Sequence, residues 1–205
     1  MVITIARQYG SGGRAIGRAL AETLKIPYYD KELINIAARE SGVSPEIFEK
    51  YDEKASNSLL YALSMGAAAT IDSEYGMSPM VSMNDRIYMI QHNVIKKLAE
   101  DTCVIVGRCA NFILSENKNA LKVFVYSDTD SKIKRATEFY GLSKSNAEKE
   151  IKRIDKLRAN HYKYYTEKEW KDVTNYDVCI NSDVLGVEKA AEMICGLIEK
   201  EKVNN

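Results

Sequence analysis

The chain is poor in the residues that metal and redox chemistry need. It has two histidines, His92 and His161, too few for a zinc site. The four cysteines, Cys103, Cys109, Cys179 and Cys195, form no C-x-x-C pair. Two of them sit in apolar runs, Cys103 before Val104-Ile105-Val106 and Cys179 between Val178 and Ile180, which predicts reduced, mostly buried thiols. No apolar run approaches the ~18 residues of a membrane helix. Met1-Val2-Ile3-Thr4-Ile5 lacks the basic and long apolar regions of a signal peptide. The expected location is the cytoplasm, with no membrane partner. A surplus of one charge sign is missing too, because 29 Lys+Arg balance 29 Asp+Glu. A dedicated nucleic-acid binder is usually basic, so no long nucleic acid is expected as partner. The sequence contains no internal repeat and no low-complexity segment.

What remains suits a globular domain: 205 residues, 45% hydrophobic and 28% charged. Val2 to Ala6 is an apolar, β-branched run that predicts a strand. A glycine cluster follows, and then Ile16, Ala19, Leu20 and Leu24 recur at helical spacing. Pro27-Tyr28-Tyr29 reads as extended, with Asp30 as N-cap of a helix from Lys31 to Glu40 that Gly42 ends. Ser44-Pro45-Glu46 opens another helix. Residues 53–84 have weak periodicity, and five of the seven methionines fall between Met65 and Met89, which predicts a mobile or inserted region. Helical spacing resumes at Ile87, Ile90, Val94, Ile95 and Leu98. Cys103 to Val106 and Leu121 to Tyr126 read as buried parallel strands. Asp128 starts a helix ended by Gly141. Ser143 caps a long one with Glu148, Ile151, Ile154, Leu157 and Tyr162 on one side. Tyr176 to Ile180 is a last strand and Gly186 to Lys200 a last helix. Strands alternating with helices predict an α/β fold, a parallel sheet covered on both faces. Ligands of such sheets sit at the carboxyl ends of strands, here Arg7 to Arg14, Asp30, Gly107-Arg108 and the loop after Tyr126.

The segment Arg7-Gln8-Tyr9-Gly10-Ser11-Gly12-Gly13-Arg14 is built for an anion. Glycines let backbone N–H groups turn inward, and the following helix N-terminus adds partial positive charge. The standard P-loop G-x-x-x-x-G-K-[ST] is not present. The dinucleotide pattern G-x-G-x-x-G/A is met by Gly10, Gly12 and Ala15, with Asp30 in range of a ribose, so a nicotinamide-dependent oxidoreductase stands as one alternative. Phosphoryl transfer instead needs cations around phosphates, and Arg14, Arg108, Arg135, Arg153 and Arg158 are available. Lys144 to Lys171 holds nine Lys/Arg against five Asp/Glu, with Tyr162, Tyr164, Tyr165 and Trp170 interleaved. Asp155 and Arg158 fall one helical turn apart, so one can take a sugar hydroxyl while the other grips a phosphate. Glu40 to Asp85 is acidic by contrast, with eight acids and two lysines.

These residues resemble the cytidylate kinase-like family, relatives of the P-loop nucleoside monophosphate kinases. The likeness rests on Ile3-Thr4-Ile5-Ala6-Arg7-Gln8-Tyr9-Gly10-Ser11-Gly12-Gly13-Arg14-Ala15-Ile16-Gly17, on Tyr28-Tyr29-Asp30-Lys31-Glu32-Leu33-Ile34 and on Val104-Ile105-Val106-Gly107-Arg108-Cys109-Ala110. It implies a P-loop NTPase-like fold of about five parallel strands in three layers, with a helical insertion and a lid. Residues 1–205 would form one kinase-like domain, 42–85 a helical acceptor-binding insertion, and 128–171 the lid and basic helix. Gly10, Ser11, Gly12, Gly13 and Arg14 would hold the phosphates of ATP, with Mg²⁺ as cofactor and Ser11 as a candidate metal ligand. Arg14, Lys132 and Arg135 would supply catalytic charge. Asp30, Arg108, Asp155 and Arg158 would hold the acceptor, a nucleoside monophosphate or similar small molecule. The sequence departs from the family pattern at three places: Gly13 where the loop lysine stands, Ala15 where a threonine stands, and Cys109 for the aspartate after Gly-Arg. The missing lysine and hydroxyl motivate a second reading, a nucleotide-binding regulator without catalysis.

Overall fold

The strands are Val2–Arg7 (β1), Tyr28–Tyr29 (β2), Cys103–Val106 (β3), Ala120–Tyr126 (β4) and Val178–Asn181 (β5). β1 is buried along its whole length, which requires a partner on each edge and cover on each face. The computed structural model, which describes residues 1–42, 44 and 82–203, supplies both. The sheet order is β2-β3-β1-β4-β5, and every pairing is parallel. Val2 stands opposite Cys103 on one side and Ala120 on the other. The helices between strands are Gly13–Leu24 (α1), Glu32–Ser41 (α2), Met83–Leu98 (α3), Ala110–Ile113 (α4), Thr129–Tyr140 (α5) and Lys144–Thr166 (α6), and Ser182–Val203 (α7) follows the last strand.

The two-residue period of the strands sorts their side chains between the two faces. Ile3, Ile5, Val104, Val106, Val123, Val125 and Ile180 form one buried cluster with Ile16 and Leu20 of α1 and Ile194 and Ile198 of α7. α1 comes so close that a Cβ on Gly17 would lie 2.9 Å from Ile5 Cδ1. On the opposite face Phe124 packs against Trp170 and Tyr176, at ring distances of 5.5 and 4.8 Å. There Asn111 of α4 donates to the Tyr162 hydroxyl of α6 at 2.9 Å. The result is the three-layer α/β sheet of five parallel strands that the sequence predicts.

α5 and α6 form a helical hairpin with a small core of its own, Ile133, Ala136, Ala147 and Ile151. Tyr9, from the glycine loop, packs into that core. The caps follow the sequence reading. Asp128 accepts from Ser131 N–H, Gly141 ends α5 with φ 65°, and Ser143 accepts from Asn146 N–H.

By internal packing the chain divides into two units, residues 1–30 with 95–205, and residues 31–94. In the second unit, Leu33, Ala37 and Ala38 of α2 are buried, as are Ile87, Gln91 and Val94 of α3. α2 ends at Gly42 (φ 70°), and Ser82 and Asp85 exchange hydrogen bonds at the start of α3. The helix expected from Ser44-Pro45-Glu46 and most of the methionine-rich stretch 53–84, hence of the expected insertion 42–85, lie outside the described residues.

Three local readings need correction. The N-cap position of α2 is Lys31 rather than Asp30, because the Asp30 carboxylate is drawn to two arginines. The buried stripe of α6 is Ala147, Ile151, Asp155, Tyr162 and Thr166. Glu148 is exposed and pairs with Lys152 at 2.7 Å. The last helix begins at Ser182, and Gly186, at φ 74° and ψ 178°, interrupts it instead of opening it.

Candidate phosphate-binding site

Each parallel strand delivers polar residues from its carboxyl end. Arg7 closes β1, Asp30 follows β2, Gly107-Arg108 follow β3, Ser127 follows β4, and Ser182-Asp183 follow β5. All of these belong to the first unit.

The glycine loop joins β1 to α1. Gly10 and Gly12 have φ of 74° and 77°, a region that glycine enters without Cβ strain. A Cβ on Gly10 would also meet the Lys132 carbonyl oxygen at 2.8 Å, so α5 lies directly against the loop. Tyr9 N–H donates to Asp155 Oδ1 at 2.7 Å. Gln8 Oε1 accepts from Ser127 N–H at 3.3 Å and from Lys132 Nζ at 3.2 Å. Arg135 Nη1 donates to the Gly10 carbonyl at 3.2 Å. The Tyr9 ring stacks on Tyr140 at 5.3 Å. The first intrahelical bond of α1 runs from Ile16 N–H to the Gly12 carbonyl at 3.0 Å, which leaves the Gly13, Arg14 and Ala15 N–H groups without an acceptor inside the helix. Ser11 is wholly buried and its hydroxyl donates to the Gln8 carbonyl at 2.9 Å.

Beside the loop sits a group of guanidiniums. Asp30 binds Arg7 Nη2 at 3.3 Å through one carboxylate oxygen and Arg14 Nε at 2.7 Å through the other. Arg158 Nη1 donates to the Arg7 carbonyl at 2.8 Å. The Arg7 guanidinium occupies the space where a Cβ on Gly107 would be, 2.0 Å from Nη1, so this position admits only glycine while Arg7 stays in place. Burial drives the pKa of Arg7 well below its ordinary value. Arg158, Arg14 and Arg108 push the same way, and Asp30 opposes. Burial likewise lowers Arg158 to about 10, against the pull of Asp155. Arg7 Nε is buried without a hydrogen-bond partner among the described residues. The charges of Arg14, Arg108 and Arg158 all act on Arg7, while Asp30 opposes them there and Asp155 opposes them at Arg158. Guanidiniums close enough to lower one another's pKa are receptive to an anion.

A second polar group lies on the other side of the loop. Asp183 accepts from Ser127 Oγ at 2.8 Å and Asp128 N–H at 2.6 Å, and pairs with Arg135 Nη2 at 3.2 Å. Burial raises the Asp183 pKa, but the Asp128 N–H and the Ser127 and Ser131 hydroxyls outweigh it and bring the group down to about 2. Lys132 is buried, with Nζ 3.8 Å from Asp155 Oδ2. Of the other arginines considered, Arg153 is surface-exposed and pairs with Glu150 at 2.7 Å. Among the described residues no cluster of three His, Cys, Asp or Glu could hold a metal ion, and all four cysteines are free.

Residues 2–184 match the cytidylate kinase-like family. The chain belongs to that family. An uncharacterized protein from Eubacterium ventriosum ATCC 27560 is 31% identical, with a TM-score of 0.70 over 97% of this chain and 98% of that one. Shikimate kinase from Bacteroides thetaiotaomicron is 16% identical, with a TM-score of 0.54 over 97% and 98%. Shikimate kinase from Aquifex aeolicus vf5 is 17% identical, with a TM-score of 0.50 over the full length of both chains. The shikimate kinases have P-loop NTPase folds, and this cytidylate kinase-like chain shares that architecture. No curated protein matches the sequence. No helix among the described residues is long and apolar enough to cross a membrane.

Sequence reasoning placed the loop, Lys132, Arg135, Asp155 and Arg158 in this region but gave no role to Arg7, Gln8, Tyr9, Ser127 or Asp183. Arg7 had a readable signal, a lone charge closing an otherwise apolar strand. His161, on α6, belongs to the same region. Burial and then the Arg108 charge lower its pKa from 6.5 to about 4. The unfolded chain therefore takes up this proton at higher pH than the folded one. The resulting stability is full above about pH 6.5 and is lost as pH falls toward 4. The ring keeps some solvent contact, so the expected loss is roughly 2–3 kcal/mol. Urea unfolding of wild type and His161→Gln at pH 7 and 4.5 checks this. The variant should lose less stability on acidification, and equal losses would show that His161 does not titrate this way.

Proposed function

We propose that this chain is a nucleotide-binding phosphotransferase that moves the γ-phosphoryl of ATP to a nucleoside monophosphate or similar small phosphorylated acceptor. The observation that carries the reading is the guanidinium cluster around buried Arg7 beside the glycine loop, with the first N–H groups of α1 free of intrahelical acceptors. The loop amides and Arg135 would hold the donor phosphates. Arg7, Arg14, Arg108 and Arg158 would hold the acceptor phosphate. An acceptor phosphate oxygen then attacks the γ-phosphorus while the bond to the β-γ bridging oxygen breaks, and ADP leaves. That oxygen is already anionic, so no general base is needed, and catalysis rests on positioning and charge.

Kinases of this family imply Mg²⁺ alongside ATP. The described residues do not fit a protein-held ion, since Ser11 is buried against the Gln8 carbonyl and the nearby carboxylates are engaged by cations and N–H groups. The nicotinamide alternative loses its footing at Asp30, whose two oxygens bind Arg7 and Arg14 where a ribose would need them.

The regulator reading keeps the missing loop lysine at Gly13 and the missing hydroxyl at Ala15 in its favour. ADP formation from ATP and Mg²⁺ across a panel of monophosphates separates the two, with thermal shift by ATP and by NAD(H) alongside. Turnover that requires a phosphorylated acceptor is expected. Stabilisation by ATP without turnover on any acceptor would favour the regulator, and stabilisation by NAD(H) alone would overturn both.

A further inference from the structure

α6 has a second polar side that the proposed reaction does not use. At 100° per residue, Arg158 and His161 fall on one flank of the helix, and Glu148, Lys152 and Lys156 on another. The second flank borders a cavity of about 310 Å³, to which Lys132, Asp155 and Lys171 also contribute. Four lysines and two acidic residues therefore line it. Glu148 is taken by Lys152 at 2.7 Å. Asp155 is shared between Lys132 at 3.8 Å and the Tyr9 N–H at 2.7 Å. Among the described residues Lys156 and Lys171 have no carboxylate partner, so two positive charges are left over.

We propose that this cavity is a second anion site, on the side of α6 away from Arg158, for a small phosphorylated molecule carrying a dianionic phosphate. Two uncompensated ammonium groups match two negative charges. Lysines on flexible stems suit a phosphate that needs point charges, unlike the fixed forks beside the glycine loop. Ile151 and Ala159 give the lining an apolar part against which the rest of the ligand can lie. The volume is at the small end of the range for small-molecule pockets, roughly 300–1,000 Å³. Lys132 and Asp155 belong both to this cavity and to the clasp on Gln8 and Tyr9, so an occupant that draws on Lys132 also alters the hold on the glycine loop.

The test is an NMR titration of the full chain with pyrophosphate at constant ionic strength, read at the lysine ammonium groups and the Tyr9 amide. Wild type should show saturable shifts at Lys132, Lys156 and Lys171, with the Tyr9 amide moving in step. Lys156→Gln with Lys171→Gln, two exposed positions, should weaken that event by roughly tenfold or more. Arg108→Ala, on the other flank, should leave it in place. An unchanged affinity in the double variant, loss of the event in Arg108→Ala, or equal shifts with chloride would each overturn the proposal.

Discussion

Replacing Asp30 by alanine should lower the free energy of unfolding by about 3–5 kcal/mol, a large share of a typical domain's stability. The reason lies in Arg7 rather than in Asp30. The Arg7 guanidinium is buried against Gly107 and feels the charges of Arg14, Arg108 and Arg158, with its Nε unpartnered among the described residues. Asp30 is the carboxylate bound to it, and without that partner a buried cation stands among three others. Arg14→Ala removes the other arm of the same carboxylate but should cost no more than about 1 kcal/mol, because the Arg14 side chain is 42% exposed and water replaces the contact. Urea unfolding of the two variants gives the comparison. A loss below about 1 kcal/mol in Asp30→Ala would mean that Arg7 does not depend on Asp30. Phosphate should restore more stability to Asp30→Ala than to wild type, because four guanidiniums then have one carboxylate fewer. That links the stability of the folded chain to the charge of the ligand it is proposed to bind.

The sequence made the sheet readable because its strands are short, continuous apolar runs, and a strand buried on both faces can have little else. The helix ends were readable for a local reason: Asp128, Gly141 and Ser143 act within three or so residues of themselves. The site was readable only as a neighbourhood. Its members lie at strand ends, which the alternation of elements locates, but their pairings span the chain. Arg7 meets Asp30 across 23 residues, and Tyr9 meets Asp155 across 146. No local pattern specifies which arginine a carboxylate chooses. Asp155 shows the difficulty best. The helical spacing groups Glu148 with Ile151 and Tyr162, and it pairs Asp155 with Arg158 as ligand groups. The α6 stripe buries Asp155 and exposes Glu148 because Tyr9 N–H and Lys132 wait on the inside. Arg14 was similarly ambiguous. Its position beside Gly13 suggests the donor phosphates, whereas its guanidinium lies on Asp30, among the arginines proposed for the acceptor.

If the chain is a kinase, Arg135→Ala should lower kcat by roughly 10²–10³-fold with a smaller change in KM for ATP. The loop has no lysine of its own, so a cation near the transferred phosphoryl must come from another element. Lys132 Nζ is held by Gln8 and Asp155, whereas Arg135 reaches the glycines of the loop. Its Nη1 reaches the Gly10 carbonyl at 3.2 Å, and its Nε would be 3.9 Å from a Cβ on Gly12. Ser127 Oγ, at 2.9 Å, and Asp183, at 3.2 Å, fix the orientation of the guanidinium before any nucleotide arrives. A donor aimed in advance gains most where charge builds up in the transition state, which is why kcat should carry the loss. Arg135→Lys should recover part of the rate, since it keeps the charge but cannot serve the Gly10 carbonyl, Ser127 and Asp183 as one planar fork. Arg14→Ala should behave differently, raising KM for the acceptor more than it lowers kcat. Steady-state kinetics on the three variants, with their melting temperatures measured alongside, separates these outcomes. An Arg135→Ala enzyme that is folded and turns over at the wild-type rate would remove Arg135 from the chemistry and leave Lys132, on Gln8 of the loop, as the cation to test.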